Sequence, residues 1–188
     1  MNALPPSGGR IAADRDSVAR SLDEARRGGA AVAAVDGRSG SGKTDLAAAL
    51  AGMLEQVRVL HLEDAYRGWH GLAEGLAAVT SGVLAPLAEG RAGAFRSWDW
   101  YAGELGELRV VPALEPGELL LIEGCGALAE PCAAFAEFGV WCEATEDVRR
   151  SRAAARDPYE WSDKWAGWAF QEESLAYRRV PDLVLHTG

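Results

Sequence analysis

A chain of 188 residues with 48% apolar and 25% charged side chains is sized and composed for one soluble domain with a buried core, and is too short for a large nucleotide-driven motor. Its net charge of −9, without a basic tail or Lys/Arg block, argues against nucleic acid or an anionic membrane as a partner. Without a leader-like or membrane-spanning apolar stretch, the expected compartment is the cytoplasm. Cys125, Cys132 and Cys142 are odd in number and lack paired metal-ligand spacing, so they are read as reduced, mostly buried thiols. His61, His70 and His186 are scattered, which gives no support to a structural zinc site.

Residues 1–10, with Pro5, Pro6, Gly8 and Gly9, read as a frayed start. Residues 14–27 carry Val18, Leu22 and Ala25 at helical spacing among charges and predict an amphipathic helix that ends at Gly28-Gly29 and covers a sheet. Residues 30–36 are short and apolar enough for a buried parallel strand, and residues 45–54 have helical spacing.

Between that strand and helix lies Gly37-Arg38-Ser39-Gly40-Ser41-Gly42-Lys43-Thr44, which fits the phosphate-loop pattern at every position. A loop that wraps polyphosphate turns its backbone N–H groups inward, and Gly37, Gly40 and Gly42 permit the φ values and close approach this needs. The helix aims its positive end at the same phosphates, Lys43 adds a full charge, and the Thr44 hydroxyl can ligate Mg²⁺. Lysine is scarce: Lys43 and Lys164 are the only two among 19 basic residues, which makes a chance match less plausible.

Residues 57–62 predict a second strand ending in Glu63-Asp64. Ligands of open α/β sheets bind outside the carboxyl ends of the strands, so Asp64 is placed as a general base or Mg²⁺ organiser, the alternative being a solvated acidic turn. Tyr66, Trp69 and His70 sit in a glycine-rich loop that either stacks a planar substrate or packs. Residues 72–88 predict one or two helices broken near Gly82 and Pro86, followed by a strand at 94–101 that leaves the main sheet and can pair with 108–111.

Residues 118–124 form the clearest buried strand, and Glu123 at its end is placed to hold Mg²⁺ or its water opposite Thr44, or else to cap a loop. A fourth strand at 138–143 precedes a helix at 147–156, where Arg149, Arg152 and Arg156 share one face. Such a face, with Arg150 beside it, can close over transferring phosphoryl groups or simply form surface ion pairs. Trp161, Trp165 and Trp168 mark a helix within 159–177 whose spacing reads as core packing, and 180–186 closes the sheet as a fifth strand.

Together these segments resemble the uridine kinase branch of phosphate-loop kinases, related to phosphoribulokinase and pantothenate kinase. Four stretches carry the resemblance: the loop 36–44, Leu62-Glu63-Asp64-Ala65-Tyr66, Leu121-Ile122-Glu123-Gly124, and Asp147-Val148-Arg149 with Arg152 and Arg156-Asp157. The resemblance spans residues 30–188 in order. It implies an α/β fold of three layers, α/β/α, around a five-stranded parallel sheet in the order 2-3-1-4-5. Residues 1–29 would be an N-terminal segment and covering helix, and 30–188 one kinase domain with an acceptor-side insert at about 65–112 and a lid at about 147–160. ATP and Mg²⁺ would be held by Gly37, Ser39, Gly40, Ser41, Gly42, Lys43 and Thr44, with Glu123 organising the metal. Asp64 would activate the acceptor hydroxyl, Arg149, Arg152 and Arg156 would serve the lid, and Tyr66 and Trp98-Asp99-Trp100 would line the acceptor side; Trp69 and Arg96, beside Tyr66 and Asp99, are further candidates to face a small-molecule acceptor. A homo-oligomer is compatible with this reading. The acceptor half departs from the family: Arg67-Gly68-Trp69-His70-Gly71-Leu72 replaces an Asn/Asp-rich, His-Pro-containing segment, and Ala102-Gly103-Glu104-Leu105 offers no His and Arg. The alternative is a nucleotide-binding regulatory protein without kinase activity; a GTPase ranks low because no Asn-Lys-x-Asp motif occurs.

Overall fold

The computed structural model describes residues 11–156 and 162–188. In chain order its main elements are β1 (Ile11–Ala13), α1 (Arg15–Arg27), β2 (Val32–Asp36), α2 (Lys43–Met53), β3 (Val57–His61), α3 (Leu72–Val79), α4 (Ala85–Ala88), β4 (Gly93–Asp99), β5 (Glu104–Val111), β6 (Leu119–Glu123), β7 (Phe138–Glu143), α5 (Glu146–Arg156), α6 (Ser162–Ser174) and β8 (Leu183–His186). Six strands pair in the order β1-β8-β7-β2-β6-β3, every pair parallel. The five anticipated strands keep the expected order, with the phosphate-loop strand β2 in the middle. The sixth, β1, was not anticipated: three residues are too few to show a period, and β1 is a strand because the free edge of β8 pairs with Ile11, Ala12 and Ala13.

Strand alternation explains the layers. Ala33, Val35, Leu119 and Leu121 pack on one face with Val18 and Leu22 of α1 and Leu46 and Leu50 of α2. Ala34, Leu120 and Ile122 point the other way, into a second core with Leu76, Val79 and Val83 and with Trp168 and Leu175. Both faces of the central strands are apolar because helices cover both. α1 starts as its sequence suggests: the Asp14 carboxylate accepts the Ser17 N–H, the Ser17 hydroxyl answers the Asp14 backbone, and the chain stops at Gly28.

The insert departs from the sheet as expected, with β4 and β5 forming a separate antiparallel hairpin. Residues 72–88 run as a nearly continuous helical segment rather than two clearly broken helices, because a wider turn at Thr80–Leu84 absorbs the disturbance. Pro86 follows directly after that wider turn, at the second residue of α4. Gly82 lies so close to the Ala94 carbonyl of the hairpin that a Cβ would collide with it. Among the described residues no helix is long and apolar enough to cross a membrane. Part of the expected lid, 157–160, and Trp161 lie outside the described residues.

Candidate active site

The glycines of the loop are used as its sequence suggests. Gly37, Gly40 and Gly42 all have positive φ, of 148°, 78° and 84°. Two of them also admit close neighbours, since a Cβ on Gly37 would strike the Cys142 carbonyl and one on Gly40 would strike the Arg149 backbone. The loop is thus packed against β7 on one side and α5 on the other. Ser41 is fully buried, and its Oγ lacks a hydrogen-bond partner among the described residues, while its carbonyl accepts from Thr187 Oγ1 at 2.8 Å.

Lys43 is 7% exposed, and its Nζ donates to the Arg38 carbonyl at 3.0 Å and to Cys125 Sγ at 3.4 Å. Burial works against its charge, yet its pKa is held above the ordinary lysine value by Cys125, Glu123, Glu172 and Asp36. Burial pushes the Cys125 thiol itself well above its usual range, so at neutral pH it is an uncharged S–H and the three carboxylates supply the attraction. The Thr44 hydroxyl reaches Glu123 Oε1 at 3.2 Å. The strand register puts His61 opposite Glu123, and the His61 Nδ1 lies 2.5 Å from the same oxygen. Hydroxyl and carboxylate oxygen side by side at the phosphate loop are the hard donors that Mg²⁺ takes, so Thr44 and Glu123 fit that ion.

Asp36, at the end of β2, is completely buried and accepts N–H bonds from Gly37 at 2.6 Å, Gly126 at 3.0 Å and Leu128 at 2.7 Å. It ties the phosphate loop to the loop that follows Glu123. Burial pushes its carboxyl up to about 6, against the three N–H donors and Lys43, which favour the ionised form.

Of the three arginines expected to serve a lid, Arg149 and Arg152 reach the loop. Arg149 is buried; it donates to the Ser39 carbonyl at 3.3 Å and lies over the Trp165 ring at 5.3 Å. Arg152 donates to Thr187 Oγ1 at 3.1 Å and to the Thr187 carbonyl, next to Gly42. Arg156 ends α5, and Arg150 pairs with Glu146 on the outer side. Beside Gly42, Asp45 and Arg152 a cleft of roughly 390 Å³ opens, with His186 and Thr187 on its far wall and Asp14 and Arg15 at its rim.

Across from the loop, Asp64 sits in a short turn after β3, and its Oδ2 pairs with Arg109 of β5 at 2.5 Å. The other acceptor-side residues divide. Tyr66 is buried, donates to the Cys125 carbonyl at 2.9 Å and packs on Trp168, so it supports the floor of the site. Trp69 is half-buried and meets Trp100 and Trp168 with ring centroids 5.4 and 6.2 Å apart. Arg96 spends its guanidinium on the Gly106 carbonyl within the hairpin, and Asp99 caps the hairpin turn through the Tyr101 and Ala102 N–H groups. Four residues close to the candidate site carried no signal along the chain: His61, Arg109, Cys125 and Glu172. His61 stood at the end of the strand that the expected order sets beside the Glu123 strand, and only the register was needed to pair them; the others meet the site only through folding.

The comparisons agree with this layout. No family model matches the sequence, and no curated protein does either. Among solved structures, the chain is similar to a possible uridine kinase from Bacillus stearothermophilus, with a TM-score of 0.65 and 20% identity over 91% of this chain and 96% of that one. It is also similar to a protein assigned as a fructose transport system kinase from Silicibacter sp. TM1040, with a TM-score of 0.55 and 16% identity over 92% of this chain and 98% of that one. The chain therefore has the three-layer fold of the phosphate-loop kinases.

Proposed function

We propose that the protein is an ATP- and Mg²⁺-dependent phosphotransferase that phosphorylates a hydroxyl of a nucleoside, nucleotide or similar small molecule. The observation that carries this reading is that Lys43 bonds the Cys125 thiol and Thr44 the Glu123 carboxylate at the end of β6, while Asp64 lies in the turn that follows the neighbouring strand β3. A generic phosphate cradle needs only Lys43 and Thr44. The carboxylate in the turn after β3 supplies what a transfer to a hydroxyl requires in addition.

In this reading the backbone N–H groups and Lys43 hold the β- and γ-phosphates, and the cleft beside Gly42 and Arg152 takes the nucleoside end of the donor. Thr44 and Glu123 would hold Mg²⁺, which supplies neutralisation of charge on the phosphate oxygens. Asp64 accepts the proton of the attacking hydroxyl after Arg109 yields its place, and Arg149 and Arg152 steady the charge that spreads over the transferred group. Trp69 and Trp100 offer the exposed aromatic edge on the acceptor side, with Tyr66 beneath. The acceptor is one hydroxyl compound whose apolar or planar part suits that edge.

A screen of nucleosides, nucleotides and sugars with labelled ATP tests the proposal. Transfer of label to one class of acceptor, dependent on Mg²⁺, supports it. Tight ATP binding with every acceptor left unlabelled would sink it in favour of a regulatory nucleotide-binding role.

A further inference from the structure

Glu172 of α6 is the least expected group near the phosphate loop. It is 3% exposed, and its Oε1 accepts the backbone N–H of Ser39, within the loop, at 2.7 Å. The same oxygen accepts Trp168 Nε1–H at 3.1 Å, and the carboxylate's charge is felt at the buried Cys125 thiol. Lys43 touches that same thiol, and Arg38 Nε lies 4.0 Å from Oε2. The loop therefore already holds an anion, and the anion belongs to the chain.

A carboxylate seated this way has a direct consequence for a phosphate ligand. A phosphoryl oxygen that takes the Ser39 N–H competes with Glu172, and one drawn onto Lys43 stands close to a like charge in a poorly solvated pocket. The seat is also wired to the acceptor side. Trp168 packs against Tyr66 and Trp69, and the neighbouring Gln171 donates to the Trp69 carbonyl at 2.7 Å. Trp69 and the Ser39 N–H are thus joined through neighbouring residues of α6.

Resting on the phosphotransferase reading above, we infer that Glu172 is a positioning residue that occupies an anion subsite of the phosphate loop in the resting protein, and that a donor triphosphate binds fully when Glu172 is displaced.

Calorimetric titration of Mg·ATP and Mg·ADP into wild type, Glu172→Gln and Trp168→Phe tests this. Glutamine can keep the Oε1 that accepts from Ser39 and Trp168 while it removes the charge and replaces the Oε2 that faces Arg38 Nε with an amide NH2, so the two bonds that tie α6 to the loop are retained. The expected result is Mg·ATP affinity about tenfold higher in Glu172→Gln, with a smaller gain for Mg·ADP and a change of the same direction but lesser size in Trp168→Phe. Thermal melts establish that each variant is folded, and Trp168→Phe stands alone should Glu172→Gln fail to fold. Unchanged or weaker Mg·ATP binding in the folded variants, with a wild type that does bind Mg·ATP, would overturn the inference and leave the phosphotransferase reading intact. If wild type binds neither nucleotide and is indistinguishable from Lys43→Ala, both fall together.

Discussion

Around the phosphate loop Asp36, Lys43, Glu123 and Glu172 are all at most 7% exposed, and each hydrogen-bonds a group on another segment of the chain. At the hairpin, Asp64, Arg96, Asp99 and Arg109 are half-buried or exposed, and apart from the Asp64–Arg109 pair their bonds stay within the hairpin. The loop side is a set of charges held out of water. The hairpin side presents its polar groups to solvent. Phosphate chemistry needs the first kind of surface, because charge fixed in advance in a low-dielectric site costs no reorganisation at the moment of transfer. Recognition of a variable acceptor is served by the second, which is also where the chain departs most from the family it resembles.

That contrast sets the expected order of mutational effects. Lys43→Ala removes the one full positive charge that Asp36, Glu123 and Glu172 share, and transfer should fall by about 10³-fold or more, read as kcat in the labelled-ATP assay. Asp64→Asn should cost about 10²-fold or more in kcat with donor affinity unchanged. Retention of most activity would remove Asp64 from the role of base and leave the acceptor side without one.

Asp36 makes a prediction of a different kind. Its folded-state carboxyl lies near 6 against an ordinary value of 3.8, so the folded protein binds the extra proton between these limits. Its contribution to stability is therefore fully present below pH 3.8 and is lost as pH rises through about 6, a change of about 3 kcal/mol. Denaturant unfolding at pH 4 and pH 6.5 should show that slope in wild type. Asp36→Asn should remove it while lowering stability overall, because the amide nitrogen cannot accept the Leu128 N–H.

A smaller effect is expected at Gly40. Alanine there meets the Arg149 backbone and an unfavourable positive φ, which should cost roughly 1–3 kcal/mol in denaturant unfolding and weaken Mg·ATP binding through the displaced α5. Asp99→Ala should be the mildest. It loses two N–H bonds at an exposed turn, about 1 kcal/mol, and leaves acceptor KM untouched. A large rise in acceptor KM would show instead that the hairpin tip enters the acceptor site.

Much of this was legible along the chain because it is local. The phosphate loop is eight consecutive residues whose glycines, lysine and threonine each answer a nearby physical demand, and the strand before it and helix after it follow from apolar spacing. The strand-end acids Glu63-Asp64 and Glu123 stood out for the same reason. The order of the five strands came with the family resemblance. Trp165 and Trp168 read as core packing from their spacing, and both are 7% exposed.

Folding decided the rest. Parallel pairing of β3 with β6 brings His61 beside Glu123, 62 residues apart, and α6 carries Glu172 back to Ser39 across 133 residues. Tyr66 became floor rather than wall, and Arg96 and Asp99 became hairpin supports, because burial and backbone partners claim side chains in ways their neighbours in sequence do not announce. What a motif determines is the chemistry that one short loop can perform. Which distant charges share that loop, and what they compete with, depends on the stacking of helices against a parallel sheet, where contacts between remote residues carry no period and no fixed spacing.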